Sequence, residues 1–351
     1  MKLLLSIFFS FLLLTGCEKP DNADPFNPSV PGQVKPVDRP GSLGIIGDTS
    51  DIQTNTKAGL VIMGGSTDVD AAFQWMIERS GGGDVVIIRA SGTDAYNSYI
   101  NKLGKVNSVE TLKIDSRKLA GDDGVARVIK NAEMLFIAGG DQSDYMEYWK
   151  GSKVMEAINY LLNEKKVPVG GTSAGAAILG NYYYSGERAS VTSTSALANP
   201  FSMDITLYKD DFIKAPFLQN VLIDQHFSQR NREGRLVVFM GRIMSDWQKT
   251  PYGIGVDEKT AVCIDENGIA QVVGTNKAYF LKTESGKTPE TFSADRPVTW
   301  NREGKAISVS AISAVAKGNQ FNLKTFQPGN ATGLANYWWS VVAGEIYFIN
   351  N

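Results

Sequence analysis

The sequence is poor in the residues that hold metals and disulfides, with one histidine, His226, and two cysteines, Cys17 and Cys263. Cys17 belongs to an N-terminal export signal, so neither a structural disulfide nor a Cys-x-x-Cys zinc site can be built. No spacing of carboxylates indicates another metal site, and we expect neither a metal nor a cofactor. Any reaction that needs an imidazole base has to use His226.

An excess of one charge is also lacking, because 35 Lys and Arg stand against 37 Asp and Glu, giving a formal net charge of -2. This balance gives no electrostatic reason to expect nucleic acid as a partner. Hydrophobic residues make up 43% of the 351 residues and charged residues 21%. Such a chain folds around a substantial core, in one large domain or two.

The N-terminus carries the features of an export signal. An apolar run over 3–14 is too short to span a bilayer and is followed by small residues before Cys17. The sequence LTGC at 14–17 resembles a bacterial lipobox, which implies cleavage before Cys17 and lipid attachment to its sulfur. Plain secretion with a chance cysteine is the alternative. We expect an exported lipoprotein, anchored to a membrane and facing the periplasm or the cell surface.

The expected organisation is a signal peptide at 1–16, a flexible Pro-, Asp- and Asn-rich tether at 17–58, a main domain at 59–267 and a β-rich portion at 268–351. The last portion is either a small domain or an extension of the main one. Its short or alternating apolar runs differ from the pattern before them.

In the main domain, continuous apolar runs alternate with helical patterns. This alternation predicts an α/β fold with a mainly parallel sheet covered on both faces. The runs that read as buried strands lie at 60–63, 85–88, 109–114, 134–138 and 167–169. Ligands bind such sheets at the carboxyl ends of the strands, and three of these ends are rich in glycine. The sequence also predicts one long helix over 143–162 and irregular structure over 181–200.

The strand end at 167–169 leads into VPVGGTSAGAAILG, in which Gly171, Ser173 and Gly175 fit the G-x-S-x-G nucleophile elbow. The helix that follows would direct its free N–H groups at an anion formed there. Glycine-rich turns between strands and helices are common in parallel α/β domains, so this pattern alone does not establish catalysis.

A serine nucleophile needs a base, and His226 follows a short apolar strand, where a site is expected. A lone histidine held by hydrogen bonds at a strand end is the alternative. The imidazole needs a carboxylate partner. Asp224 is too near in sequence, whereas Asp257 and Glu258 end a neighbouring strand; they could also form an exposed turn.

Acyl transfer also needs hydrogen-bond donors for an oxyanion. The amide of Ala174 is the natural donor, and Gly140 at the adjacent strand end could supply the second unless it only forms a tight turn. Arg230, Arg232 and Arg235 would form a cluster suited to bidentate binding of carboxylates. A solvated helix face is the alternative for them.

Together these motifs resemble the cyanophycinase group of serine peptidases, which are relatives of the α-aspartyl dipeptidases. The matching pieces are GGDQ at 139–142, GGTSAGA at 170–176, DQHF at 224–227 with its three arginines, and GIGVDEKTA at 253–261. They occur in the family's order, and the resemblance covers 59–264.

The resemblance implies a class I glutamine amidotransferase-like α/β sandwich of three layers. It implies that Ser173 is the nucleophile, His226 the general base and Glu258 the triad carboxylate. The residues that fall where the family binds substrate are Gln142, Asp224, Gln225, Arg230, Arg232 and Arg235. Relatives hydrolyse bonds made through an aspartyl residue, including the β-aspartyl-arginine links of cyanophycin.

Two regions depart from the family. The segment between Ser173 and His226 carries Tyr182, Tyr183 and Tyr184, and we expect it to line the substrate pocket. The portion 268–351 lies outside the resemblance. These two departures leave the identity of the substrate undetermined, but they do not affect the expected mechanism.

The sequence therefore predicts an exported, lipid-anchored serine peptidase that acts on aspartyl-linked peptides, as a monomer or a homodimer. One alternative is a catalytically silent lipoprotein that binds a peptide or glycan on the same fold. Another is an esterase of the α/β-hydrolase type, in which the acid would be Asp204, Asp210 or Asp211.

Overall fold

The apolar runs of the sequence become strands of two sheets in the computed structural model, which describes residues 39–329 and 332–350. The described strands are β1 (Ser42–Gly47), β2 (Gly59–Met63), β3 (Asp84–Arg89), β4 (Ser108–Lys113), β5 (Met134–Ile137), β6 (Pro168–Thr172), β7 (Tyr182–Tyr184), β8 (Leu207–Lys209), β9 (Val221–Gln225), β10 (Tyr252–Val256), β11 (Thr260–Asp265), β12 (Ile269–Gly274), β13 (Lys277–Lys282), β14 (Ile307–Ser313), β15 (Gln320–Asn322), β16 (Gln327–Pro328), β17 (Leu334–Val342) and β18 (Glu345–Asn350).

Helices connect and cover these strands. The described helices are α1 (Asp70–Arg79), α2 (Ala95–Leu103), α3 (Arg117–Ala120), α4 (Asp123–Asn131), α5 (Gln142–Trp149), α6 (Lys153–Tyr160), α7 (Ala174–Ala177), α8 (Ser193–Ala198) and α9 (Glu233–Trp247), with a π-helical turn at Leu161–Lys165 and a 3-10 turn at Ser228–Arg230. None of the helices in this part of the chain is long and apolar enough to cross a bilayer.

The first sheet has the order β1-β4-β3-β5-β6-β2-β11-β12-β15-β16. Its strands β4, β3, β5, β6 and β2 are mutually parallel, and the flanking pairs are antiparallel. All five residues of β2 and all four of β5 are buried, as continuous apolar strands require. The predicted α/β fold with a parallel centre is confirmed.

The second sheet has the order β18-β17-β14-β13-β10-β9-β7-β8 and is parallel only across β7, β9 and β10. The β-rich portion predicted after residue 267 is present. It adds β12, β15 and β16 to the first sheet and β13, β14, β17 and β18 to the second. This portion therefore extends both sheets.

Three apolar clusters hold the layers together. On one face of the first sheet, α1 and α2 pack over the strands, and Phe73 of α1 contacts Phe136 of β5. On the other face, α4 to α6 share a core with the inner side of the second sheet, where Ile223 and Ile254 lie. The outer side of the second sheet packs against α8 and α9. The carboxyl ends of β6, β9 and β10 meet in this arrangement.

Three details differ from the sequence predictions. The helix expected over 143–162 is two helices, because Gly151 has φ +66° and Ser152 caps α6 by accepting a hydrogen bond from the amide of Met155. The segment 181–200 is not wholly irregular, since it forms β7 and α8. Its short helix is fixed by a capping box between Thr192 and Ser195.

The predicted tether also differs at its C-terminal end. Residues Ser42–Gly47 form β1, which pairs with the edge of β4 and buries Ile45 to 3% exposure. Because an edge strand needs only alternate apolar residues, the composition of this segment did not indicate β1. The predicted signal peptide, Cys17 and the tether up to residue 38 lie outside the described residues.

Candidate active site

Ser173 lies on a sharp turn between β6 and α7. Its backbone has φ 51° and ψ -120°, a conformation that non-glycine residues seldom adopt and that projects the hydroxyl from the turn. Close packing fixes the turn, because a Cβ on Gly171 would lie 2.3 Å from the carbonyl oxygen of Gly175. A Cβ on Gly175 would lie 2.3 Å from the carbonyl oxygen of Ile137. The predicted nucleophile elbow therefore has its expected strand–turn–helix geometry.

His226 follows β9 and faces this serine. Its Nε2 lies 2.8 Å from Ser173 Oγ, although the two residues are 53 positions apart in the chain. The imidazole is 8% exposed and packs against Gly65, where a Cβ would lie 2.5 Å from Nε2. Only glycine fits there, and its φ of +96° also favours glycine.

Glu258 completes a chain of hydrogen bonds. Its Oε1 lies 2.7 Å from His226 Nδ1, and its backbone amide donates to Gln229 Oε1 at 2.7 Å. Asp257 is buried and turned away from the imidazole: its carboxylate accepts from the amides of Ser228 at 2.9 Å and Lys277 at 3.3 Å. Of the two acids that the strand end offers, the structure brings Glu258 to His226.

The end of β2 forms hydrogen bonds with the three turns that carry Ser173, His226 and Glu258. The carbonyl oxygens of Met63, Gly64 and Gly65, at the end of β2, accept hydrogen bonds from three backbone amides. The donors are Ser173 at 3.1 Å, His226 at 2.7 Å and Lys259, the residue after Glu258, at 3.1 Å. The glycine-rich end of β2 is recognisable in the sequence, but its role in positioning the triad was not predicted. The contact between Gln229 and the amide of Glu258 was not predicted either.

The electrostatics favour a neutral imidazole and an ionised acid. Burial lowers the pKa of His226 from its ordinary value of 6.5, although the hydrogen bond with Glu258 opposes this shift. The same hydrogen bond lowers the pKa of Glu258. With Glu258 ionised, Nδ1 carries the proton and donates it, so Nε2 is left to accept from the Ser173 hydroxyl.

Arg230 affects the pKa of His226. Its exposed guanidinium lies 3.9 Å from Glu258 Oε1 and further lowers the pKa of His226. Replacing Arg230 by Gln removes a positive charge that disfavours the imidazolium, so the pKa of His226 should rise. The acidic limb of the pH profile for labelling of Ser173 by a fluorophosphonate should then move to higher pH.

Varying the salt concentration tests whether this shift of the acidic limb is electrostatic. Since Arg230 is 53% exposed, added salt should move the wild-type limb in the same direction and the Arg230→Gln limb less. Arg296→Gln, an exposed arginine on another loop, serves as the control and should leave the limb in place. A limb that stays put or moves to lower pH in Arg230→Gln would contradict this account.

One of the two donors expected for an oxyanion, the amide of Ala174, directly follows Ser173. The amide of Ala174 begins α7, and among the described residues it has no hydrogen-bond acceptor. Gly139 packs against the nucleophile, with a built Cβ 3.4 Å from Ser173 Cβ. Gly140 follows it and lies close to the hydroxyl of Tyr145. Ala174 and Gly140 remain the predicted pair of donors.

The residues predicted to bind substrate separate into two groups. Asp224 and Arg235 are each 3% exposed and form a bidentate ion pair, with Nε donating to Oδ2 at 2.7 Å and Nη2 to Oδ1 at 2.5 Å. Each already holds the other in a buried site, and their role as substrate contacts stays a prediction. Arg235 also donates to the carbonyl oxygen of Val191 at 3.1 Å.

Arg232 belongs to the same buried group. It donates to the carbonyl oxygen of Gln225 at 2.7 Å and lies 3.4 Å from Asp224 Oδ1, and burial lowers its pKa to about 10. Gln225 is 4% exposed. Only Arg230 and Gln142 remain open to solvent, and Gln142 donates to the carbonyl oxygen of Tyr184 at 3.1 Å.

The tyrosines expected to line the pocket are buried instead. Tyr182, Tyr183 and Tyr184 form β7 at the side of the second sheet, each at most 5% exposed. Tyr182 stacks on Trp247 and Tyr184 on Phe239. Aromatic residues have a high strand propensity, and here that propensity together with burial decides their place.

A serine on a nucleophile elbow, a neutral imidazole and an ionised acid on an α/β sheet together define a serine hydrolase. The comparison with protein families then gives the particular group: the chain belongs to peptidase family S51, whose family model matches residues 60–272. The predicted cyanophycinase-like resemblance and the peptidase class are thereby confirmed.

Curated relatives carry the name cyanophycinase. One from Geminocystis herdmanii is 25% identical over 243 residues, 67% of this chain and 78% of its own. Another from Trichormus variabilis is 28% identical over 193 residues, 54% of this chain and 59% of its own, so the chain spans less than two thirds of that relative. A crystal structure of a peptidase from an acI-B1 Actinobacterium aligns with 65% of this chain and 91% of its own, at 17% identity and a TM-score of 0.48.

Proposed function

We propose that this protein is an exported, lipid-anchored serine peptidase that hydrolyses aspartyl-linked peptide bonds, including β-aspartyl links. The observation that carries the catalytic part is the hydrogen-bonded chain from Ser173 Oγ through His226 to Glu258 Oε1, with contacts of 2.8 and 2.7 Å. Both distances lie within the range in which a base can take a proton from a nucleophile.

In the first half of the reaction, Ser173 Oγ attacks the scissile carbonyl carbon while its proton moves to His226 Nε2. Glu258 stabilises the imidazolium that forms and holds the ring in place. The amides of Ala174 and Gly140 stabilise the oxyanion, and the imidazolium protonates the leaving amine. In the second half, His226 takes a proton from water, and the resulting attack releases the acid product and restores Ser173.

Two observations support an aspartyl substrate. Relatives named cyanophycinase match 67% and 54% of this chain, and the S51 family model covers all three triad residues. Arg230 is exposed next to Glu258, where a guanidinium can bind a free carboxylate of the substrate. In a β-aspartyl peptide that group is the α-carboxylate of the aspartyl residue.

The substrate proposal is tested by incubating the protein with the β-aspartyl-arginine dipeptide and with its α-linked isomer. We expect release of arginine from the β-linked peptide at a rate well above that from the α-linked one, and from neither peptide with Ser173→Ala. Equal rates would contradict the preference for β links. Fluorophosphonate labelling of Ser173 with no cleavage of either peptide would leave a serine hydrolase with another substrate.

Export and anchoring form the second part of the proposal. Their support is the LTGC sequence at 14–17 after a short apolar run. In a bacterial host, the full chain should fractionate with membranes and incorporate labelled fatty acid, whereas Cys17→Ser should do neither. A wild-type protein found only in the soluble fraction would overturn this part and leave the peptidase assignment intact.

The rival functions differ from this proposal at named residues. A silent binding protein would not react with a fluorophosphonate, although its triad could keep the same positions. An α/β-hydrolase esterase would need Asp204, Asp210 or Asp211 at His226. The position facing Nδ1 is taken by Glu258, while Asp211 pairs with Lys150 at 2.5 Å.

A further inference from the structure

A cavity of about 100 Å³ lies at the edge of the first sheet, between β1, β3, β4 and α4, and no step of the proposed reaction uses it. We call it the edge cavity. Its lining includes Asp84 and Ser108, the first residues of β3 and β4. Ser173 follows the last residue of β6, which runs parallel to these strands through β5. The edge cavity therefore lies at the end of the sheet opposite to the candidate active site.

Glu110 brings a carboxylate into the core beside this cavity. It lies within β4, pairs with Ile45 of β1 and Val86 of β3, and is 2% exposed. One carboxylate oxygen, Oε2, accepts a hydrogen bond from Arg39 Nη1 at 2.5 Å. The other, Oε1, is buried and has no hydrogen-bond partner among the described residues. Because burying an oxygen of a charged group without a partner is costly, this atom calls for a donor.

The edge cavity has room for such a donor, and the charges around it favour a cation. Glu110 is one of its lining residues. The charged residues of the lining are two arginines and three acids: Arg39, Arg127, Asp51, Asp84 and Glu110. One positive charge is therefore missing from the lining, and a ligand with a single positive charge would balance it.

An ammonium group suits this environment better than a metal ion. In residues 39–329 and 332–350, no group of three or more His, Cys, Asp or Glu side chains is placed to hold a metal ion. A metal ion needs several oxygen ligands at once, whereas an ammonium group needs one acceptor for each N–H. Glu110 Oε1 takes one of these donors, and the side-chain oxygens of Thr49 and Asn131, which also line the cavity, can take the others.

We propose that the edge cavity binds the ammonium group of a small primary amine, which donates to Glu110 Oε1. Arg127 widens the range of ligands. It is exposed at the cavity, and its guanidinium has no carboxylate within 4.0 Å in the part of the chain that the structure describes. A carboxylate of the ligand can bind there. Simple amino alcohols and small amino acids therefore share the chemistry that this site recognises, and the amino acids have one more contact.

Binding would strengthen the attachment of β1. This strand ends the described order of the first sheet and is paired with β4. Arg39 and Ile45, which lie before and within β1, both line the edge cavity. A ligand that pairs with Glu110 adds contacts beneath this edge strand, and it stabilises the state in which the strand is attached. This role does not depend on the proposed peptidase function.

The experiment is calorimetric titration of the purified full-length chain with two pairs of probes. Ethanolamine is compared with ethylene glycol, and glycine with glycolate, so that in each pair a hydroxyl replaces the ammonium group. We expect the ammonium compound of each pair to bind about tenfold more tightly, because its hydrogen bond to the carboxylate is charge-assisted. Arg127→Gln should weaken binding of glycine and leave that of ethanolamine unchanged, which separates an amino-acid ligand from a simple amine.

Glu110→Gln should abolish the difference within each pair of probes. Lys130→Gln, at an exposed lysine on the same helix as Arg127, is the matched control and should bind as wild type. If Glu110→Gln does not fold, Ala132→Val supplies a second variant. It fills part of the edge cavity and leaves the charges in place, so it should weaken binding of both ammonium compounds.

Amide hydrogen exchange locates the bound ligand. With ethanolamine present, the amides of β1 should exchange more slowly, in wild type and in Ser173→Ala alike. Equal binding within both pairs of probes, no binding of either ammonium compound, or full discrimination in Glu110→Gln would each overturn the proposal. Protection confined to the turns around Ser173 would overturn it as well.

Discussion

Replacing Ser173 by Ala should lower kcat for an aspartyl-linked peptide by at least about a thousandfold, because removing a triad member leaves only binding and oxyanion stabilisation. The fold should survive, since the lost hydroxyl has one hydrogen-bond partner, His226 Nε2, among the described residues. Single-turnover hydrolysis and fluorophosphonate labelling measure the loss. An unchanged thermal unfolding temperature shows that the protein remains native.

The other triad members separate this mechanism from its rivals. Glu258→Gln should lower kcat by about 10²- to 10⁴-fold, because an amide no longer fixes the tautomer in which Nε2 is free. Asp211→Asn, the acid that an α/β-hydrolase esterase could use, should keep most of the activity. Substantial turnover by Ser173→Ala, or a larger loss in Asp211→Asn than in Glu258→Gln, would refute the assignment.

Replacing Asp224 by Asn should destabilise the folded protein by about 3–5 kcal/mol, which is the usual cost of removing one partner of a buried ion pair. Arg235 is 3% exposed and loses the bidentate partner of its guanidinium. Arg232, itself largely buried, loses the carboxylate that lies 3.4 Å away. Chemical denaturation of wild type and variant measures the change in the free energy of unfolding.

A surface pair supplies the control for this effect. Glu284→Gln breaks an exposed contact with Lys287 and should change the free energy of unfolding by less than about 1 kcal/mol. Combining Asp224→Leu with Arg235→Met should recover part of the stability lost in the single variant, since Arg235 no longer leaves an unpaired charge and only Arg232 remains buried without its carboxylate. A loss in Asp224→Asn no larger than in Glu284→Gln would show that Asp224 is not a structural ion-pair partner.

Local patterns were enough to predict the parallel centre of the fold and the elbow. A continuous apolar run such as Leu60–Met63 is stable mainly as a strand in a sheet that is covered on both faces. Glycines around Ser173 mark a turn that other residues cannot make. The single histidine left one choice of base, and the structure places it 2.8 Å from the serine.

What escaped prediction depends on distant parts of the chain. Nothing near Asp224 in the sequence shows that Arg235, a helix residue eleven positions away, turns back onto it. The strands β9 and β10 look like members of the first sheet, but their neighbours β13 and β7 place them in the second. Tyr182–Tyr184 reads as a loop until the edge strand β8 and α9 cover it.

The three carbonyl groups at the end of β2 have a consequence for how this enzyme tolerates change in length. Neighbouring carbonyls on a strand are about 3.3 Å apart along the chain. This fixed spacing, and not the sequence separations of 53 and 32 positions, sets the spacing of serine, histidine and acid. Loops between the triad members can therefore grow, shrink or acquire new surfaces without misaligning the reacting atoms. New specificity can be added at the periphery of the molecule while its chemistry stays the same.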